Sequence, residues 1–211
     1  MLTDKEVKKE FKKIASKDPN KYYATSYLKK EGFSRYKCEN CATNFWSTVK
    51  SKVCGDPSCS GGFRFLEDNP VKKKMDYLTV WKEFSTMFNK LGYTPIKRYP
   101  TVSRWNPTMD FTIASIAAFQ PYVVSGEVKP PANPLVIPQF CLRFSDIDNV
   151  GITGSHMTGF VMIGQHAFVQ QKEWSQETYF SHIHNWLKKG LGLPNNEITF
   201  HEDAWAGGGN F

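Results

Sequence analysis

With 211 residues, 40% of them hydrophobic and 15% aromatic, the chain can bury a sizeable core, which predicts one main domain plus a small appendage. No apolar run approaches the ~20 residues that cross a bilayer. The opening MLTDKEVKKEFKK carries charges but no apolar signal core, so a soluble, cytoplasmic protein with no membrane partner is expected. The net charge of +7 is uneven, because residues 1–74 hold 17 Lys and Arg against 9 Asp and Glu, while the rest hold 10 against 11. That asymmetry suits a polyanion such as RNA, although a lysine-rich segment also serves solubility alone.

In chain order, Thr3 and Glu6 have the spacing of a capping box, and Val7, Phe11 and Ile14 mark one face of a helix that Asp18-Pro19-Asn20 ends. A second short helix is expected between Tyr22 and Phe33, stopped by Gly32. Then come two cysteine pairs, Cys38-x2-Cys41 and Cys54-x4-Cys59, with Gly55, Asp56 and Pro57 forming a turn inside the second. Four thiolates satisfy a tetrahedral zinc ion and leave no ligand position open, so the site would be structural. A disulfide reading needs an oxidising compartment that nothing here supports, and unligated buried cysteines are the other alternative. Cys141, the fifth, has no evident base beside it and reads as a core residue.

Asp68-Asn69-Pro70 punctuates the chain, which places the domain boundary near residue 67, with a helical, four-cysteine zinc-binding region over 1–66 and the main domain over 67–211. Leu78, Trp81, Phe84, Phe88 and Leu91 recur at helical spacing up to Gly92, and a strand is expected from Tyr93 to Val102. Asp110 to Pro121 is rich in small residues, which suit close backbone approach to a ligand and tight helix packing equally well. Prolines from 130 to 138 make a stiff connector.

An apolar strand, Leu135 to Leu142, follows and ends on Arg143. A polar loop with Asp146, Asp148, Asn149, Gly151 and Gly154 leads to a second apolar run from Thr158 to Phe168, giving strand, loop and antiparallel strand. An arginine fixed at a strand end presents a planar donor fork to a phosphate. His156 and Phe160 are four apart, so a ring could stack on a base while its neighbour reaches phosphates. Later, Tyr179, Ile183, Trp186 and Leu187 mark a helix closed by Gly190. His182 and His184 lie two apart on it and read as surface residues, not as a metal pair.

The string FSDIDNVGITGSHMTGFVM resembles motif 2 of class II aminoacyl-tRNA synthetases, in the version found in alanyl-tRNA synthetases of the archaeal type, and the resemblance extends over nearly the whole chain. It implies an α+β fold: part of a class II antiparallel sheet flanked by helices, with a small N-terminal zinc-binding region. The helix ending at Gly92 and the strand after it would be motif 1. Further implied are ATP binding by Arg143, Asp146, His156, Phe160 and Met162, with Arg143 catalytic at the α-phosphate and Phe160 against adenine. Asp146 and Asp148 would order the loop or hold Mg²⁺, Asp148 and Trp205 would border the amino acid, and tRNA(Ala), alanine and ATP would be the partners. Zn²⁺ at Cys38, Cys41, Cys54 and Cys59 also matches the resembling enzymes. Two positions depart from the pattern, since Ser155 stands where arginine is usual and Val161 where glutamate is usual. The sequence runs to Phe211 without the motif-3 arginine, so a second synthetase chain carrying it is expected; the competing reading is a non-enzymatic module that binds adenylate or RNA.

Overall fold

Thr3 and Glu6 close the capping box they were expected to form: the Thr3 N–H donates to Glu6 Oε2 at 2.8 Å and the Thr3 hydroxyl accepts from the Glu6 N–H at 3.4 Å. A computed structural model describes residues 3–61, 69–152 and 156–202. In chain order they form α1 (Asp4–Lys17), α2 (Pro19–Tyr22), α3 (Thr25–Lys30), β1 (Ser34–Lys37), β2 (Asn44–Ser47), α4 (Pro57–Ser60), α5 (Tyr77–Lys90), β3 (Thr94–Pro95), β4 (Leu135–Leu142), β5 (Gly159–His166), α6 (Gln176–Asn185) and β6 (Phe200–His201). The architecture is α+β, and its two sheets belong to two compact units.

The first unit comprises residues 3–61, 69–73 and 175–202. The division expected near residue 67 was contiguous; packing instead groups residues 175–202 with the N-terminal part. β1 and β2 form a hairpin, and β6 adds to it as a third antiparallel strand, pairing Phe45 with His201 and Trp46 with Phe200. Leu28, Phe33, Trp46 and Ile198 make the core, with Phe180, Leu187, Leu193 and Phe200 packed against them. The helix face at the N-terminus is only partly covered: Phe11 meets Tyr22 edge-on at 5.4 Å, while Val7 and Ile14 stay exposed.

His184 corrects the expectation of a surface residue, because it is fully buried in this unit. Asn195 Nδ2 donates to the Glu31 carbonyl at 3.1 Å, so its Oδ1 faces His184 Nε2, also at 3.1 Å, and Nε2 must carry the hydrogen. Nδ1 then accepts from the Tyr27 hydroxyl at 2.8 Å, and Phe33 and Phe200 close around the ring. Replacing His184 with alanine would leave a buried hydroxyl and a half-buried amide oxygen unpaired beside a cavity. A loss of about 3 kcal/mol in unfolding free energy is expected from urea titration, whereas a change below ~0.5 kcal/mol would make the network ornamental.

The second unit comprises residues 74–152 and 156–174. Asp76 caps α5 by accepting from the Thr79 N–H at 2.7 Å, and Phe84 and Phe88 are buried, as the helical spacing predicts. Leu78, 75% exposed, does not join them. β4 and β5 pair antiparallel over their whole lengths, from Leu135 opposite His166 to Leu142 opposite Gly159, and β3 lies parallel to β4 on its other edge. The core on this sheet is Ala118, Phe119, Leu135 and Ile137.

The strand expected from Tyr93 to Val102 shrinks to Thr94–Pro95. Two prolines, Pro95 and Pro100, remove ladder donors. After the Ile96 N–H bonds the Val136 carbonyl at 2.9 Å, a side chain replaces the ladder. Gln139 accepts from the Tyr99 N–H at 2.9 Å and donates to the Tyr99 carbonyl at 3.1 Å, with no accessible surface of its own.

Candidate functional site

Directly opposed residues of an antiparallel pair share a face, so the β4–β5 register puts Gln139, Cys141, Met162 and Phe160 on one side of the sheet. Arg143 follows β4, and its N–H continues the ladder to the Thr158 carbonyl at 2.9 Å, so its side chain keeps the same alternation. Its Nε donates to the Ile113 carbonyl at 2.8 Å, and its guanidinium carbon lies 5.1 Å from the centre of the Phe160 ring. Among the described residues, no hydrogen bond takes up its two terminal nitrogens. In the loop, the Asp146 carbonyl accepts from the Asn149 N–H at 3.0 Å, closing a short 3-10 turn over Ile147–Asn149. Gly151 follows at φ +80, a left-handed conformation that most residues resist.

Arg143, Ser145, Asp146, Val150, His156, Met157 and Phe160 enclose a cleft of about 400 Å³. Four of the expected site residues, Arg143, Asp146, His156 and Phe160, thus meet in one place. A guanidinium, an imidazole, a carboxylate and an apolar floor suit an anionic ligand with a flat apolar part. Asp148 is exposed on the 3-10 turn and is not part of the lining. Met162 lies further along the same face, where its sulfur accepts the Ser115 N–H at 3.3 Å. Val161 points to the opposite face, paired with Phe140, and offers no polar atom. Trp205 and Ser155 fall outside the described residues.

Three contributors to this face were not singled out in the sequence: the Ile113 carbonyl, Ser115 and His166. The small-residue stretch gave a hint, because Ser115–Phe119 forms a buried 3-10 turn lying on the sheet. His166 Nε2 is 3.1 Å from Ser115 Oγ, and burial among Phe119 and Phe168 pushes its imidazole down to about 4. An unfolded histidine takes up its proton near ~6.5. The folded value is depressed, so this stability is fully present above the unfolded value and is lost as pH falls toward about 4. Denaturant unfolding at about pH 7 and about pH 5 should show wild type losing up to ~2 kcal/mol more than His166→Phe. Equal losses would mean that the ring is protonated without cost.

The second site lies in the first unit. The cysteine spacing brings Cys38, Cys41, Cys54 and Cys59 together, with their sulfurs all within 4.8 Å of one another and Cys41 Sγ at 3.9 Å from Cys54 Sγ. A tetrahedral ion with bonds of ~2.3 Å needs sulfur separations near ~3.8 Å, so the four residues fit one metal ion. The Cys41 N–H, with those of Asn40 and Cys54, bonds to the Cys38 sulfur and holds its thiol down to about 6. Cys38 and Cys54 are buried against Phe45. Cys141 is buried in β4, as expected of a core residue.

Archaeal enzymes are similar to this chain over most of its length. Alanine–tRNA ligase of Methanocella arvoryzae is 47% identical over 212 residues, matching 100% of this chain and 24% of its own length. The enzymes of Cenarchaeum symbiosum and Methanopyrus kandleri are 40% and 41% identical, over 97% and 92% of this chain and 23% and 21% of their own lengths. The chain therefore spans about a quarter of the length of these relatives. The family described as tRNA synthetases class II (A) matches residues 79–210, a region that holds most of α5, the whole β4–loop–β5 hairpin and the cleft around Arg143. The chain belongs to that class II tRNA synthetase family.

Proposed function

We propose that this chain is the N-terminal catalytic portion of an alanyl-tRNA synthetase, which forms alanyl-adenylate from alanine and ATP and passes alanine to tRNA(Ala). The observation that carries the reading is the Arg143 guanidinium, held at Nε by the Ile113 carbonyl, in a cleft shared with Asp146, His156 and Phe160, in a chain similar along its whole length to an alanine–tRNA ligase. An alanine carboxylate oxygen attacks the α-phosphorus of ATP, and the bond to pyrophosphate breaks. The 3′-terminal ribose hydroxyl of the tRNA then attacks the alanyl carbonyl, and AMP leaves with the electron pair. Neither step needs a protein nucleophile. Arg143 steadies the charge that develops on the α-phosphate, His156 reaches the polyphosphate, and Phe160 with the guanidinium above it offers a flat surface to adenine. Met162 lies further along the same face, Trp205 would border the amino acid, and Asp148 would order the loop from its 3-10 turn. Mg²⁺ would be held by the phosphates together with Asp146, and would supply charge neutralisation on the leaving pyrophosphate.

Zinc is the ion assigned to the four thiolates, with the first unit as its structural support and the second unit, residues 74–152 and 156–174, as the catalytic part. The cytoplasm, where tRNA is charged, is the compartment that follows. About three quarters of the first relative's length lies outside the match. The full reaction would draw on further synthetase parts, including a motif-3 arginine.

Calorimetry with a non-hydrolysable alanyl-adenylate analogue tests the reading on the chain itself. Binding is expected, with a seryl or valyl analogue at least ~10-fold weaker. Alanine-dependent exchange of pyrophosphate into ATP should appear once the remaining synthetase parts are added. Binding without exchange in that mixture would favour a non-enzymatic adenylate-binding module, and no binding at all would overturn the assignment of the cleft.

A further inference from the structure

The segment from Thr112 to Phe119 lies across the site face of the second unit's sheet, and its ties are specific. The Leu142 N–H donates to the Thr112 carbonyl at 3.0 Å, and Arg143 Nε donates to the Ile113 carbonyl at 2.8 Å. The Ser115 N–H reaches the Met162 sulfur at 3.3 Å, and Ser115 Oγ lies 3.1 Å from His166 Nε2. Ala114, between the Arg143 tie and the His166 tie, is extended at φ -156 and ψ 162, so the two ties sit on one short run of backbone.

We propose that Ser115 and His166 are positioning residues that latch this strap to the sheet and thereby aim the Arg143 fork into the cleft. Several features single out the latch. His166 is wedged with Phe119 edge-on at 5.0 Å and Phe168 stacked at 6.3 Å, which fixes the direction of Nε2. Gly164 leaves the room for it, since a Cβ there would collide with Ser115 Oγ and lie only 2.5 Å from His166 Nε2. Ser115 is 5% exposed, so its hydroxyl has little water as an alternative partner. Arg143, by contrast, is exposed. A long exposed side chain samples many rotamers unless something holds it, and here the Ile113 carbonyl takes Nε and the Phe160 ring takes one face. Occupying Nε leaves the two terminal nitrogens as the only donors free to face an anion end-on. Outer partners that orient a binding group are commonly worth ~10-fold or more in affinity.

The inference rests on the reading of Arg143 as an anion-binding residue, and the test separates the two. Nitrogen-15 NMR of the chain follows the Arg143 Nε–H signal, assigned by its loss in Arg143→Lys. In wild type the Ile113 bond should slow its exchange with water. His166→Phe and Ser115→Ala should speed that exchange by about tenfold, while His166→Gln, whose amide nitrogen can still reach Ser115, should keep it slow. With the alanyl-adenylate analogue, His166→Phe and Ser115→Ala should each bind about three- to tenfold more weakly and His166→Gln should not. In an Arg143→Ala background they should add nothing, because the group they aim is gone. Unchanged Nε–H exchange in Ser115→Ala, the smallest of the changes, overturns the proposal whatever the ligand data show. A wild-type chain with a slow Nε–H that the two variants speed, yet with no affinity for the analogue, leaves the latch standing and removes the ligand reading.

Discussion

Removing the metal assigned to Cys38, Cys41, Cys54 and Cys59 is expected to unfold the first unit around its β1–β2 hairpin. Four sulfurs confined within 4.8 Å, two of them in nearly inaccessible side chains, are arranged for an ion, and without it they keep only weak thiol contacts with one another. Structural zinc sites contribute about 10–16 kcal/mol of apparent binding free energy near neutral pH, as much as or more than the ~5–15 kcal/mol that holds a whole domain together. Hairpin and metal are therefore expected to fold as one. Protein purified without added metal should contain one zinc per chain by elemental analysis. A strong chelator, or Cys54→Ser, should abolish the near-ultraviolet signal of Trp46, which packs in this unit's core. The second unit has its own core at Phe119, Leu135 and Ile137 and should keep the cooperative unfolding of its sheet. Zinc near zero in folded protein, with four thiols freely reactive, would exclude the metal reading.

The second large effect is expected at Arg143. A charge-assisted bond to a phosphate is worth about 1.5–3 kcal/mol net, so Arg143→Ala should weaken binding of the adenylate analogue by roughly tenfold to a hundredfold. Because the side chain is exposed, thermal stability should hardly move, which separates lost binding from lost folding. Arg143→Lys is informative in another way. Lysine keeps the charge but has neither an Nε donor for the Ile113 carbonyl nor a planar face for the Phe160 ring. It should recover less than half of the lost free energy. Full recovery by lysine would mean that charge alone suffices and that the fork geometry is incidental; unchanged affinity in Arg143→Ala would assign the residue a structural role.

What could be read in the sequence was local in its physics. The capping box of Thr3 and Glu6 spans three residues, and its geometry depends on almost nothing else. The α5 stripe and the alternation through Leu135–Leu142 repeat with the period of the backbone itself. The cysteine pairs could be read as a metal site because short knuckles place their own sulfurs. Arg143 at the strand end, the loop and Phe160 follow from one hairpin, whose register the two apolar runs fix. For the same reason the cleft was largely legible before any tertiary contact was known.

The tertiary structure decided the partners that lie far along the chain. His184 and Tyr27 are 157 positions apart, and nothing in the neighbourhood of either announces that one will bury the other. A histidine on a mildly amphipathic helix is written the same way whether it faces water or a core, and the return of α6 and β6 to the N-terminal hairpin made the choice. Glu202 is a similar case. Its carboxylate is buried because Arg35 grips both oxygens at 2.6 and 2.7 Å and Trp46 adds a third bond at 2.8 Å. Gln139 ended a strand that hydropathy had extended to Val102, since a side-chain amide can replace a ladder that prolines have broken. The strap over the site face was decided the same way: the small residues from Asp110 to Pro121 permit a close approach, but only packing against Gly164, Met162 and His166 shows what is approached. Sequence by itself determined the elements and the chemistry each could carry, because those depend on neighbours within a turn or a pleat. Which buried polar groups meet depends on satisfying donors and acceptors across the whole fold, and that condition has no local signature.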